Sequence, residues 1–195
     1  MATEIELKAH IENHEALKSL LAEKAEYLSA FEKEDRYYFF PEHSKSFPSG
    51  VRVRREKRTL PDGKETSISC ATYKRKEVRD GIEVNDEREF EAQPVEDFEE
   101  FLGRMGWKLG AAKKKRGWAF YRDGITAELV EVEGLGWFLE LEIITVSYDD
   151  GISTDKIPKV VFTEEKNRLL GFLDSLGISR EAIESRFYSE MLGER

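Results

Sequence analysis

Several stretches of this sequence alternate strictly between charged and apolar residues, which is the pattern of strands with one charged face and one face that must be buried. Glu4-Ile5-Glu6-Leu7-Lys8-Ala9 sets the pattern. In a strand, successive side chains point to opposite faces and same-face residues recur about every 6.8 Å. Glu4, Glu6 and Lys8 therefore share one face, and Ile5, Leu7 and Ala9 the other. The pattern returns with Arg52 and Arg54, Lys74 and Lys76, Glu87, Glu89 and Glu91, Lys114 and Arg116, and Glu140 and Glu142. Opposite them stand Val51 and Val53, Tyr73, Phe90, and Leu139, Leu141 and Ile143, which require burial. One such strand is an ordinary solvated edge of an antiparallel sheet. Six of them, with acidic and basic clusters on different strands and three helical segments to cover the apolar face, predict a sheet closed on itself with charges inside and helices outside.

The rest of the chain punctuates these strands. Asn13 is placed to cap a helix carrying Ala16, Leu17, Leu20, Leu21 and Ala25. Strands are expected over 35–40, 51–58, 67–79, 82–92, 108–121, 125–133 and 137–147, with a loop over 41–50. Asp80-Gly81 and Asp123-Gly124 are strong two-residue hairpin signals. Pro94 opens a helix with Phe98, Phe101, Leu102 and Met105 turned inward and Gly106 as its stop. A helix over 163–176 and a short one capped by Ser179 complete the chain. No linker or tandem repeat divides it, so residues 1–195 are expected to form a single domain.

Composition narrows the chemistry. The formal net charge of -9 disfavours nucleic acid and anionic membrane as partners. Lys113-Lys-Lys-Arg116 splits between two strand faces and does not overturn that reading. No basic leader or long apolar run is present, so a cytoplasmic location is expected. Cys70 is the only cysteine and reads as strand packing. His10, His14 and His43 lack a zinc-protease spacing. Any metal is therefore a hard cation held by carboxylates, while Arg and Lys on the same lining suit phosphate oxygens. Together they imply a metal-bound polyphosphate. Trp107, Trp118 and Trp137 read as core or rim packing, and Gly134-Leu-Gly136 as a turn rather than a dinucleotide fingerprint.

These residues resemble the CYTH superfamily, the triphosphate tunnel metalloenzymes, and within it the class IV adenylyl cyclase branch. The resemblance runs through the opening E-x-E-x-K, Asp35-Arg-Tyr-Tyr-Phe39, Val51-Arg-Val-Arg-Arg55, Thr72-Tyr-Lys74, Lys113-Lys-Lys-Arg116, Val132-Glu-Gly-Leu-Gly136, Phe138-Leu-Glu-Leu-Glu142 and the tail Arg186-Phe-Tyr188 before Met191-Leu-Gly193. It implies an α+β fold, an eight-stranded antiparallel closed β-barrel with helices packed outside. It also implies dependence on Mg²⁺ or Mn²⁺, a triphosphate-containing small-molecule substrate, and a homodimer. Position by position, Glu4, Glu6, Glu140 and Glu142 match metal-binding residues. Lys8, Arg52, Arg54, Lys74, Lys76, Lys114 and Arg116 match phosphate-binding ones.

Two positions depart from the family pattern. Val130 stands where an Asp is usual, with Glu128 on the same face as its substitute for the metal. Glu87-Arg-Glu-Phe-Glu91 displaces an arginine to Arg88, on the opposite face. The resemblance implies hydrolysis of tripolyphosphate, thiamine triphosphate or a nucleoside triphosphate, or instead the class IV cyclase reaction from ATP to cyclic AMP and pyrophosphate. The two departures keep open a module that binds polyphosphate or nucleotide without catalysis. No residue is assigned as general acid, general base or nucleophile.

Overall fold

The computed structural model describes residues 2–41, 50–146 and 157–193, except the side chains at positions 2, 74–76 and 146. Eight strands close into an antiparallel barrel in the order β1-β5-β4-β3-β2-β6-β7-β8. They are β1 (Ala2–His10), β2 (Glu26–Phe39), β3 (Val51–Thr59), β4 (Glu65–Arg79), β5 (Ile82–Glu91), β6 (Lys108–Arg122), β7 (Ile125–Val132) and β8 (Gly136–Val146). Both Asp-Gly hairpins form as expected, with positive φ at Asp80 and Gly81 and at Asp123 and Gly124. Two successive left-handed residues match the right-handed twist of the flanking strands, and a glycine at the second position adopts this conformation without a Cβ penalty.

The main core lies outside the barrel. Ile5, Leu7 and Ala9 of β1, Ala127 and Leu129 of β7, and Leu139 and Leu141 of β8 are fully buried on the outer face. They are covered by α1 (His14–Lys24) and α3 (Lys159–Ser175), through Leu17, Leu21, Leu169, Phe172 and Leu173. Each such side chain contributes about 1.5–3 kcal/mol on burial. Asn13 caps α1 by accepting from the Ala16 N–H at 3.1 Å. A third helix, α2 (Val95–Arg104), packs Val95 and Leu102 onto Tyr38 and Val53. It is fixed by Glu99, which receives Arg55 at 2.6 Å and the Tyr38 hydroxyl at 3.0 Å.

Some expectations change. β2 starts at Glu26 rather than at 35, because Tyr27 to Phe31 pair with β6 and continue the same ladder. Phe101 of α2 and Met105 just after it are exposed, as are Tyr73 and Phe90. The helix packs its Val95 and Leu102 stripe on β2 and β3 and meets β5 through Phe98, which lies edge to face with Phe90 at 5.6 Å between ring centres, so Phe101 and Tyr73 stay exposed beyond it. Arg88 lies on that outer face beside Asp86, as expected. Most of the 41–50 loop and the end of the last strand at 147 lie outside the described residues.

Candidate functional site

Strand alternation turns one set of charged residues into the barrel. β1 contributes Glu4, Glu6 and Lys8; β8 contributes Glu140 and Glu142; β7 contributes Glu128. The ladder sets Glu6 opposite Glu142, and Glu140 opposite both Lys8 and Glu128. Directly opposed residues on one face have Cβ atoms about 4.5–5.5 Å apart, so these carboxylates are neighbours on adjoining strands. β3 adds Arg52 and Arg54, as the sequence predicts. The backbones of Lys74 and Lys76 pair with Glu87 and Asn85, but their side chains lie outside the described residues.

Lys114 and Arg116 are a correction. Arg116 is on the outer face, bonded to Glu131 of β7 at 2.5 Å, and the lumen is instead lined by Lys113 and Lys115. The physical reason lies further along the same strand. Phe120 is buried in the outer core and Trp118 packs against it, so even-numbered residues of β6 face outward. Lys114 and Arg116 belong to an outer charge ladder in which Glu131, Arg116, Glu32 and Lys57 stand opposite one another across β7, β6, β2 and β3.

Further lumen residues escaped the sequence reading, among them Glu56, Thr72 and Asn85 as well as three on β2 and β5. Lys33 and Asp35 come from β2, where Phe31-x-Lys-x-Asp-x-Tyr37 alternates as clearly as the opening motif. Glu83 of β5 shares the face of Glu87 and Glu89 and is bonded to Lys8.

The lumen cations hold acids of the same lining. Arg54 donates to both oxygens of Asp35, at 2.6 and 2.9 Å, and Lys113 approaches the same carboxylate at 3.6 Å. Lys115 donates to both oxygens of Glu140 at 2.6 and 2.9 Å, and Lys33 to both of Glu128 at 2.6 and 2.7 Å. Arg52 reaches Thr72 at 3.0 Å and Glu89 at 3.2 Å. Burial alone would raise the Asp35 carboxyl, but Arg54 and then Lys113 hold it well below the usual range. Burial opposes charge on Lys115 and Glu140 as well, and their mutual attraction overrides it, raising the ammonium and lowering the carboxyl. Lys113 goes the other way: burial and the neighbouring Lys115 push it down to about 7. Cys70, at the β4 wall, is a buried thiol raised by burial and by Glu89.

The chemistry of this lining fits a hard cation and a polyanion. Its acids supply only oxygen donors, the set that suits Mg²⁺ or Mn²⁺. Among the described residues no three carboxylates converge as a ready cluster, since Glu128 and Glu140 are turned to ammonium groups. Arg52 Nε and Asn85 Oδ1 are buried without a hydrogen-bond partner, an arrangement costly in an apolar site and natural in one that receives a polar ligand.

The C-terminal segment completes the wall. β5 pairs with β1 only at Thr3–Glu6, and beyond that point Ile183 bridges Ala9 while the Glu184 N–H donates to the Lys8 carbonyl at 2.9 Å. The following helix, α4 (Tyr188–Gly193), places the Tyr188 ring over Lys115, Lys113 and Lys8, with ring centre to ammonium distances of 4.7, 5.0 and 5.5 Å.

No family model matches the sequence, and no curated protein does. Solved structures do. The PH1819 protein of Pyrococcus horikoshii is 28% identical, with a TM-score of 0.80 over 98% of each chain. A candidate adenylate cyclase from Vibrio parahaemolyticus is 20% identical, with a TM-score of 0.75 over 97% of each chain. The chain has the fold of the CYTH superfamily. A third CYTH-like neighbour, a candidate adenylyl cyclase from Hippeastrum described as having a dominant triphosphatase activity, is 19% identical. It gives a TM-score of 0.64 over 98% of this chain and 94% of its own. No helix among the described residues is long and apolar enough to cross a membrane.

Proposed function

We propose that this chain is a divalent-metal-dependent phosphohydrolase whose substrate is a triphosphate held in the barrel lumen. The observation that carries the reading is the lining itself. Arg52, Arg54, Lys8, Lys113 and Lys115 converge from three strands onto the barrel interior, alongside carboxylates of β1, β7 and β8. Burying that many charges is costly, and neighbouring acids only offset the cost. A fold that served stability alone would fill the lumen with apolar side chains.

Glu4, Glu6, Glu140 and Glu142, with Glu128, would hold Mg²⁺ or Mn²⁺. Bound there, the ion would supply Lewis-acid polarisation of phosphoryl oxygens and orientation of the attacking water. The chain's own cations do the rest. The Arg52 and Arg54 forks match pairs of phosphate oxygens, and Lys8, Lys113 and Lys115 neutralise charge that develops on the transferred group. The low-dielectric wall strengthens each of these contacts. As a triphosphate enters, Asp35 and Glu140 exchange their internal partners for a shared network with the ligand.

A second reading, cyclisation of ATP with loss of pyrophosphate, is favoured by the tail, since Tyr188 of the Arg186-Phe-Tyr188 segment stands in the lumen. The test is to incubate the protein with ATP, tripolyphosphate or thiamine triphosphate, plus Mg²⁺ or Mn²⁺, and to resolve the products. Orthophosphate from any of the three supports hydrolysis. Cyclic AMP with stoichiometric pyrophosphate transfers the assignment to the cyclase reaction, and binding without turnover leaves a non-catalytic module.

A further inference from the structure

We propose that Lys33 is a built-in counter-cation for Glu128, standing where a second divalent ion would otherwise bind, so that the lumen takes a single metal ion. This rests on the metal-dependent reading above and withdraws Glu128 from its ligand set.

The sheet places the pair. Lys33 is on β2 and Glu128 on β7, with β6 between them, so the lysine reaches across a strand to make the contact. Its ammonium donates to both carboxylate oxygens, at 2.6 and 2.7 Å. The Lys33 side chain is 5% exposed and that of Glu128 16%. The centre of the Phe31 ring lies 4.3 Å from the same ammonium, so an aromatic face and a carboxylate enclose the charge together.

Two carboxylates set directly opposite each other repel, and Glu128 stands opposite Glu140 of β8. A divalent ion shared between two carboxylates is one way to relieve such a pair. The lumen uses another. Lys33 holds both oxygens of Glu128, and Lys115 both oxygens of Glu140. The two lysines are themselves opposite each other on β2 and β6. Two ammonium groups therefore bring to the two carboxylates the charge that one divalent ion would bring.

Glu128 depends on that arrangement. Its partner on β6 is Ala119, and the next residue along its own lumen face is Val130. Both are buried in an apolar cluster with Phe31 and Phe138, and neither side chain can donate to a carboxylate. Without Lys33 the Glu128 charge would stand buried and uncompensated, and a cation from solution would be drawn to it. With Lys33 in place, the ion is left to the β1–β8 side, where Glu6 stands opposite Glu142.

Mn²⁺ alone is the probe, counted through the electron paramagnetic resonance signal of the free ion. The unmodified protein is expected to bind one Mn²⁺ per chain. Lys33→Ala removes the charge and opens the space, and should bind a second ion; Lys33→Ala/Glu128→Gln should return the count to one. Thermal unfolding should follow the same order, with Mn²⁺ raising the midpoint of Lys33→Ala more than that of the unmodified protein or the double variant. A merely structural ion pair predicts lost stability with an unchanged count, and that result overturns the proposal. A second Mn²⁺ in the unmodified protein overturns it as well. If Lys33→Ala does not fold, judged by circular dichroism, Glu128→Gln decides: it should keep its single Mn²⁺ with an affinity within about twofold of the unmodified protein, and a larger loss makes Glu128 a ligand and refutes the proposal. If the unmodified protein binds no Mn²⁺, the metal-dependent reading fails and takes the proposal with it, an outcome distinct from a wrong count.

Discussion

Lys113 shows how the lumen is poised for an anion. Asp35 lies 3.6 Å from its ammonium group but is already engaged by both arms of Arg54. Burial and Lys115 therefore dominate and bring Lys113 down to about 7, from the ordinary value of 10.5. Between those two values the unfolded chain holds more protons than the folded one, so the Lys113 contribution to stability rises with pH across that window. A bound triphosphate reverses the balance by favouring the charged form. Tripolyphosphate affinity should accordingly fall as pH rises through 7, with uptake of about one proton per ligand at pH 8. Calorimetry in buffers of different ionisation enthalpy measures that uptake, and none at pH 8 would contradict the assignment. Asp35 has the opposite sign: its stabilisation is present at neutral pH and is lost as pH falls through its depressed value. Asp35→Asn leaves Arg54 buried without its counter-charge and should cost about 3–5 kcal/mol in chemical denaturation.

At the scale of the element, β6 separates two uses of positive charge along one run of residues. Lys113 and Lys115 point into the barrel, while Lys114 and Arg116 join the exposed ladder with Glu131 and Glu32. Exposed pairs of that kind contribute about 0–1 kcal/mol. The double variant Lys114→Ala/Arg116→Ala should therefore change tripolyphosphate affinity less than about twofold, and Lys115→Ala should lower it about tenfold or more. A titration that reversed this order would place the site on the wrong face. The sequence carried the signal for the correct face, since Trp118 and Phe120 fix the outward parity of the strand. It was hidden because the K-x-R spacing of Lys114 and Arg116 imitates the family motif. β1, β3 and β8 were legible because their apolar residues interleave with the charges directly. α2 was half legible: its start at Pro94 and the inward Phe98 and Leu102 were plain, but Phe101 and Met105 stay exposed because the buried stripe runs through Val95, Phe98 and Leu102. Its anchor, Glu99, gathers Arg55, Arg36 and Tyr38. Glu99→Gln should cost about 1–3 kcal/mol in thermal or chemical unfolding without weakening the lumen.

Across the whole molecule the barrel reverses the usual layering, with its main apolar core outside the sheet and its charges within. Periodicity revealed that inversion on β1, β3, β5 and β8, where the charged residues line the lumen, and misplaced it on β6, where Lys114 and Arg116 face outward. The completion of the wall by the tail was not visible from spacing. Tyr188 lies nearly fifty residues beyond Glu140 in the sequence, and only the pairing of the tail with β1 brings it to the lysines. Gly117 makes a similar point about the wall, where a Cβ would stand 2.1 Å from the Leu129 carbonyl oxygen. That close approach of β6 to β7 is a property of the closed sheet and of no local motif. The central claim, that the lumen is a triphosphate site, is tested most directly by calorimetric titration of tripolyphosphate in the presence of Mg²⁺ into the protein and its Arg52→Ala variant. The account predicts one ligand per chain and an affinity lowered about tenfold or more by the substitution. No binding, or binding indifferent to Arg52, would contradict it.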